Sequence, residues 1–261
     1  MLNKPENKAE YFKWLKEYHG VTIEPKHARN YESVTNKIRR DFEELTFWKH
    51  FKENISSYNS EYFIQTGYNL FVDLKPPEIL IKKFENFVDK TYRKNILENR
   101  KWPAEPQRGW VLPQNWFSQI NDIVRTMITV KYLDGVEFLI NKFQDFFLTN
   151  GIQFHKFYEA REEGYYAVHL YMECEFEIEN LEWDTQKTIV RIEFQITTQL
   201  QEVIKTLTHK YYEKRRNMLR KDSEKWQWKY DSEEFTANYL GHILHYIEGM
   251  IMEIRNKQKE K

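Results

Sequence analysis

From Gly164 to Ile178 the chain alternates. Tyr166, Val168, Leu170, Met172, Cys174, Phe176 and Ile178 fall on one parity; Tyr165, His169, Tyr171, Glu173, Glu175 and Glu177 fall on the other, with small Ala167 among them. Period-two alternation predicts a half-buried strand. From Thr188 to Thr198, Val190, Ile192, Phe194 and Ile196 alternate with Arg191, Glu193, Gln195 and Thr197, and the polar Asn180 to Gln186 segment suits a hairpin connection. Two strands sharing one apolar face put Tyr165, His169, Glu193 and Gln195 on one polar face, close enough to line a single site. An aromatic ring, an imidazole, a carboxylate and an amide together exceed what solubility requires.

The remaining pattern supplies flanking elements. Residues 1 to 60 are charged and aromatic with helical spacing: Tyr11, Phe12, Trp14, Leu15 and Tyr18 form one stripe, and Phe42, Leu45, Thr46, Phe47 and Phe51 another. Asp41 to Glu44 suits the start of a helix and Lys49-His50 its end, by the sign of the helix dipole. These aromatics read as packing faces, with an interaction or regulatory role as the alternative. After the Pro76-Pro77 break, Glu78 to Lys82 is a short strand candidate. Phe84 to Asn95 then suggests a helix with Phe87, Thr91 and Tyr92 against Lys83, Lys90, Arg93 and Lys94. That basic side faces either water or phosphate, and spacing does not choose between them.

Residues 99 to 118 interleave Pro103, Pro106, Gly109 and Pro113 with Trp102, Trp110 and Trp116, which predicts an ordered loop. Asn121 to Tyr132 predicts a central strand, apolar on both parities, with Asp122 at its entrance. Asp134 is the expected cap of a helix from Gly135 to Leu148 that Asn150-Gly151 ends, and Phe154 to Tyr158 is a further strand candidate. Beyond Thr198 come two helical segments, Gln199 to Leu219 and Ser232 to Asn256. The second carries Phe235, Tyr239, Leu240, Ile243, Leu244, Ile247 and Ile251 at helical spacing and is expected to bury them. This order predicts an α/β fold, a mixed β-sheet flanked by helices with helical N- and C-terminal extensions. The expected division is a helical extension over 1–75, a central domain over 76–220, and a C-terminal helix over 221–261 packed on that domain.

Composition narrows the function classes. The 261 residues carry 40 Lys and Arg against 40 Asp and Glu, so no basic field covers the whole protein, though a local basic patch is compatible with neutrality. The single cysteine, Cys174, rules out an intramolecular disulfide framework and reads as core packing. No apolar run approaches the ~20 residues of a membrane helix, and the first residues lack a signal-peptide core, so a cytoplasmic, reducing setting is expected. His242 and His245 lie three apart but lack a convincing third ligand, which favours packing over zinc. The Glu173, Glu175, Glu177, Glu179 row reads as a solvated strand edge.

Four strings in order carry a resemblance: Lys82 to Arg93, Asn121-Asp122-Ile123-Val124-Arg125, Gly164-Tyr165-Tyr166-Ala167-Val168-His169, and Glu193 to Thr198 followed by Thr208-His209-Lys210-Tyr211. They resemble the RxKxxxSIxxKxxR, DIAGIR, GYRSLH and E(I/V)QIRT elements of the RelA/SpoT family synthetase domain, over residues 78 to 215. The resemblance implies a nucleotidyltransferase-like fold and pyrophosphate transfer, in which the β,γ-diphosphate of ATP moves to a ribose 3′-hydroxyl of GDP or GTP to make the alarmone (p)ppGpp of the stringent response. By that analogy Asp122 holds Mg²⁺, and Glu193 binds the same ion or draws the proton from the attacking hydroxyl. Tyr165 stacks on the acceptor base, Lys82, Lys90 and Arg93 bind donor phosphates, and Arg161 stands in the place of the basic residue before the GY motif. His169 is a hydrogen-bond donor to acceptor phosphate or ribose, and Gln195 lines the site beside it. Such chemistry needs hard ligands for Mg²⁺ and a set of cations, which these residues supply.

The departures are specific. Leu80, Met127 and Thr197 stand where the family has arginines, and Arg125 replaces its glycine. Either cations such as Arg125, Lys94 or Arg191 rebuild the donor site, or turnover is lost. With no preceding histidine-aspartate hydrolase motif and no room for C-terminal regulatory domains, the chain reads as a single-domain, synthetase-only member. One branch of that description makes guanosine alarmones. The other is toxic, found in toxin–antitoxin and anti-phage loci, and acts on adenosine nucleotides or the 3′ end of tRNA; an antitoxin or regulator would be its partner. The divergent motifs lean toward the toxic branch. The basic, aromatic Lys205 to Lys229 segment offers a place for RNA, or is an ordinary solvated helix; net neutrality counts against tRNA. A non-catalytic nucleotide-binding module is a third reading.

Overall fold

The computed structural model describes residues 3–181, 184–215 and 225–259. Five strands, β1 (Ile79–Ile81), β2 (Val124–Val130), β3 (Phe154–Ala160), β4 (Tyr166–Glu179) and β5 (Thr185–Thr198), form one sheet in the order β1-β2-β5-β4-β3. The described helices are α1 (Lys8–His19), α2 (Pro25–Glu44), α3 (Thr46–Thr66), α4 (Phe84–Tyr92), α5 (Trp116–Gln119), α6 (Leu133–Thr149), α7 (Gln199–Arg215) and α8 (Glu233–Lys259). This is the expected mixed sheet flanked by helices. β3 and β4 run antiparallel, with Phe154 opposite Met172 and Ala160 opposite Tyr166. β4 and β5 are joined over 180–184, too short for a parallel crossover, which needs about a dozen residues.

The alternation predicted for β4 and β5 holds, but its polar parity changes character along the strands. Phe176 and Ile178 are buried while Glu175 and Glu177 are exposed; further along, His169, Glu193, Gln195 and Thr197 are buried too. A buried polar face must satisfy itself by hydrogen bonds, and that is where chemistry concentrates.

The chain divides into two compact units. The first comprises Met1–Glu43, Leu80–Arg125 and Glu173–Ile192. Here α1 starts where Asn7 Oδ1 accepts the Glu10 N–H at 3.0 Å, and ends at Gly20, whose φ of 65° a side chain would strain. It buries Tyr11, Trp14 and Leu15 but leaves Phe12 and Tyr18 exposed, a narrower stripe than the spacing predicts. Trp14 packs against Trp102 and Trp110, at ring-centroid distances of 5.6 and 4.9 Å, so the tryptophan-rich loop is ordered by covering α1. Asn95 pins that loop, donating to Val111 O at 2.9 Å and accepting from Val111 N–H at 2.8 Å.

The second unit comprises Glu44–Ile79, Thr126–Met172 and Glu193–Lys261. Its core gathers Phe47, Phe143, Phe147 and Phe194, with Phe47 and Phe143 at 5.3 and 5.6 Å from the Phe194 ring. Three expectations are corrected. Asp41 to Glu44 closes α2, and Lys49 and His50 sit near the start of α3, the reverse of the dipole reading. The dipole is worth about 0.3–1 kcal/mol and burying a phenylalanine about 1.5–3, so the placement of buried Phe42 and Phe47 decides the boundary. Asp134 does not cap α6; Tyr132 holds that position. Asp134 instead accepts from the Tyr62 hydroxyl at 2.6 Å and from Arg255 at 3.1 Å, and the Arg255 guanidinium lies 4.1 and 4.2 Å from the Tyr68 and Tyr132 ring centroids.

The third correction is α8 itself. It buries Glu234, Asn238, Gly241, Glu248 and Arg255, while Tyr239, Leu240, Ile243, Ile247 and Ile254 are exposed. The polar face wins because each buried charge finds partners: Glu248 accepts from the Thr198 hydroxyl and, at 3.2 Å, from the Gln201 amide. His242 and His245 serve packing, His245 stacking on the Tyr166 ring at 3.7 Å and His242 Nδ1 lying 2.8 Å from the Tyr166 hydroxyl. Arg216, Arg220 and Lys221, with the side chains of His209, Lys210, Tyr211, Tyr212, Lys214 and Arg215, lie outside the described residues. Of the rest of that basic segment, Trp226 is buried against Tyr239 and Trp228 is exposed. Among the described residues no helix is long and apolar enough to cross a membrane.

Candidate functional site

In the first unit the site is built around Asp122. It lies in the turn two residues before β2, where the sequence predicts the strand to have begun at Asn121, and the Lys82 N–H donates to Ile123 O at 2.9 Å to hold the end of β1 there. The Lys82 ammonium stands 2.9 Å from Asp122 Oδ2 and the Lys90 ammonium, from α4, 2.7 Å from Oδ1. The Lys82 side chain is only 3% exposed. Burial alone would push the Asp122 carboxyl up, but the pull of Lys90 and then Lys82 holds it well below the usual carboxylate range. Lys82 moves down in turn: desolvation outweighs the raising effect of Asp122, and Lys90 and Arg125 add repulsion.

Around this cluster the other predicted cations differ. Arg93 follows α4 in a π-helical turn and lies 3.8 Å from Glu98, as does exposed Lys94. Arg125 is half-buried on β2. Arg191 is committed elsewhere, at 2.8 Å from Glu173 and 3.3 Å from both Ser118 O and Asn121 Oδ1. It is a structural clasp, and the same pair half-buries Glu173, whereas Glu175 and Glu177 of the glutamate row are exposed.

In the second unit the polar face of β4 and β5 gathers Tyr165, His169, Glu193 and Gln195. The Tyr165 hydroxyl is 3.1 Å from His169 Nε2, and His169 Nδ1 is 3.0 Å from Glu193 Oε1. A carboxylate only accepts, so Nδ1 carries the proton toward Glu193 and Nε2 accepts from Tyr165. The Tyr171 hydroxyl donates to Glu193 Oε1 at 2.9 Å and the Gln195 amide to Oε2 at 3.0 Å. Both oxygens are therefore oriented, in a side chain 3% exposed. Tyr171 shares the parity of His169 and Tyr165, so the alternation itself could have named it as a site residue.

Tyr165 owes its placement to the turn before β4. Gly164 has φ 77°, and a Cβ there would meet Asn238 O at 2.5 Å, so this position needs glycine for its conformation and for the close approach of α8. Arg161 closes the turn, its N–H donating to Tyr165 O at 3.0 Å; its guanidinium reaches Glu159 at 2.9 Å and lies 5.3 Å from the Tyr165 ring centroid. Lys205 on α7, absent from the predicted site, donates to Gln195 Oε1 at 3.0 Å. The same unit holds a cavity of about 180 Å³ lined by Phe51, Ile55, Phe71, Met127 and Glu202 among others, and none of the predicted site residues lines it.

Among the described residues no three His, Cys, Asp or Glu side chains gather as a preformed metal cage. Asp122 still fits a magnesium ion that arrives with a nucleotide, because Mg²⁺ is commonly held by one or two carboxylates plus substrate phosphates and water. Its two lysines would then have phosphate oxygens to turn to.

No family model matches the chain, and no curated protein matches it. In structure it is similar to small alarmone synthetase 1 from Bacillus subtilis, with a TM-score of 0.52 at 12% identity over 91% of this chain and 98% of that one. That enzyme bound to its product pppGpp gives 0.52 at 14% identity, over 82% and 92%. A GTP pyrophosphokinase family protein from Streptococcus pneumoniae gives 0.51 at 13%, over 90% and 94%. The chain has the small alarmone synthetase fold, as the sequence resemblance implies.

Proposed function

We propose that the chain is an ATP-dependent pyrophosphokinase acting on a ribose 3′-hydroxyl of a nucleotide. The hydroxyl oxygen attacks the β-phosphorus of ATP, the bond from that phosphorus to the α,β-bridging oxygen breaks, AMP leaves, and the hydroxyl proton passes to Glu193. The observation that carries this reading is Glu193 itself: a buried carboxylate with both oxygens oriented by His169, Tyr171 and Gln195 beside an aromatic platform. Fixed orientation is what general-base work requires. Tyr165 takes the acceptor base, a stack worth ~1–3 kcal/mol, with Arg161 and His169 beside it.

Lys82, Lys90 and Arg93 take the donor phosphates, with Arg125 adding positive potential. Asp122 is the residue that would hold Mg²⁺, which would supply neutralisation of charge on the phosphate oxygens when bound. The pppGpp bound in a protein of the same fold supports a nucleotide acceptor. The test is incubation with Mg²⁺ and ATP labelled in its terminal phosphates, offering GDP, GTP, AMP, ADP, ATP and deacylated tRNA separately. Label on a guanosine acceptor that disappears in Asp122→Ala and Glu193→Ala is the expected result. Label on an adenosine nucleotide or tRNA would place the chain in the toxic branch, and nucleotide binding without transfer would make it a binding module.

A further inference from the structure

The spacing of the last helix reads His242 as a packing residue. The structure spends both of its ring nitrogens on the turn that leads into β4. Nε2 lies 2.9 Å from Glu162 O, and Nδ1 lies 2.8 Å from the Tyr166 hydroxyl. A carbonyl oxygen only accepts, so in the neutral ring Nε2 carries the proton and Nδ1 accepts from Tyr166. The two contacts fall on either side of Tyr165, three residues before it and one after. The backbones meet as closely: a Cβ on Gly241 would run into the Gly164 carbonyl oxygen, so glycine on both sides lets α8 lie against the turn. The Gln227 amide also donates to Glu162 Oε1 at 2.5 Å, which holds that side chain but not its peptide.

We propose that His242 is a positioning residue of the acceptor site, tethering the Glu162 peptide so that Arg161 and Tyr165 meet the acceptor in a fixed geometry. This deepens the pyrophosphokinase reading and rests on it. Residues 161–165 form the tip of the β3–β4 hairpin, and β3 is the edge strand of the sheet. The tip's own bonds, Arg161 N–H to Tyr165 O at 3.0 Å and Gly164 N–H to Arg161 O at 2.9 Å, set its internal shape. A hairpin tip at a sheet edge can still swing unless another element holds it, and α8 is that element. By strand alternation Tyr166 points away from the face that carries Tyr165, so His242 braces the turn from behind the site. Placement matters because a misplacement of about 1 Å in a substrate-positioning group can cost on the order of 10²-fold.

The test uses the full chain as wild type, His242→Gln and His242→Asn, measuring kcat, KM for ATP, and KM for GDP or for the offered acceptor that the wild type labels in its place. Glutamine can set an N–H near the place of Nε2, whereas asparagine replaces only the acceptor at Nδ1. His242→Asn is expected to raise the acceptor KM about 10-fold, within the worth of one base stack, with kcat at saturation and KM for ATP changed less than about twofold. His242→Gln should return the acceptor KM to within about threefold of wild type. Equal rises in both KM values would overturn the proposal in favour of general packing, as would equal damage by the two variants or unchanged kinetics in His242→Asn. If the wild type labels no acceptor, the pyrophosphokinase reading falls by itself, and amide hydrogen exchange over residues 161–166 decides the tether. Faster exchange there in His242→Asn but not in His242→Gln supports it, and equal exchange in all three proteins overturns it.

Discussion

Two buried carboxylates, Asp122 and Glu193, are held in opposite ways. Asp122 faces two ammonium groups, one per oxygen, in a local excess of positive charge. Glu193 is cradled by a phenol, an amide and an imidazole. An ion pair can exchange partners when a more highly charged ligand arrives, because its attraction has little directionality. A hydrogen-bonded cradle resists exchange, because each donor is aimed at one lone pair. The first arrangement suits capture of phosphate and cation; the second suits a fixed proton acceptor.

The sharpest way to break that contrast is to neutralise each carboxylate in place. Glu193→Gln keeps size and most donors but removes the base, and kcat should fall about 10²–10⁴-fold with ATP affinity little changed. Asp122→Asn should instead raise the Mg²⁺ concentration needed for half-maximal rate, at a smaller cost in kcat at saturating Mg²⁺. Measuring kcat against Mg²⁺ for both variants decides it, and identical profiles would erase the distinction between the two carboxylates.

Stability separates them next. Lys82→Met leaves Asp122 buried with Lys90 as its remaining ammonium partner, and breaking one side of a buried pair costs about 3–5 kcal/mol. A drop of that size in urea unfolding is expected, whereas Lys90→Met, at a more exposed position, should cost less. The reverse order would mean that the stronger pull of Lys90 on the carboxylate outweighs the deeper burial of Lys82.

Acid titration adds a signature that only the Asp122 cluster should show. Because its carboxyl is held below the ordinary value of 3.8, the charged form is favoured in the folded state. That stability is fully present above the unfolded value and is lost as pH falls through the folded one. The urea stability difference between wild type and Asp122→Asn should therefore stay constant from pH 7 to about pH 5, and shrink only below about pH 4. A difference that stays constant on acidification well below about pH 4 would show a carboxylate that is not depressed.

The contrast also explains what the sequence could show. Strands β4 and β5 were legible because alternation is local, and it placed Tyr165, His169, Glu193 and Gln195 on one face without any knowledge of contacts. Tyr171 was legible by the same parity. The Asp122 pairs were not, since nothing in the spacing tells a lysine 40 residues upstream to bury its ammonium against that carboxylate. Lys205 was hidden for a related reason, because a cation among many on a helix reads as solvated until a partner such as Gln195 is located. On α8 periodicity located the helix but chose the wrong face: the apolar spacing of Ile243 and Ile247 outvoted Glu248 and Arg255, whose burial depends on partners far away in sequence. The helix boundary at Leu45 failed on magnitude, the dipole being weaker than aromatic burial.

Glu248 supplies the control the comparison needs. Like Glu193 it is buried in the second unit and held mainly by neutral donors, the Thr198 hydroxyl, the Gln201 amide and His245 Nδ1 at 3.3 Å. Unlike Glu193 it has no aromatic platform assigned to a substrate beside it, and its partners tie α8 to the end of β5 and the start of α7. If a neutral-donor cradle were sufficient for catalytic importance, Glu248→Gln would be as damaging as Glu193→Gln. The expectation is the opposite: an amide at 248 replaces hydrogen bonds to a charged group with weaker neutral ones, at a cost of about 1 kcal/mol in urea unfolding, with kcat changed less than about threefold. A large loss of kcat in this variant with folding intact would show that the proton work is not confined to Glu193, and that the cradle alone does not mark the base.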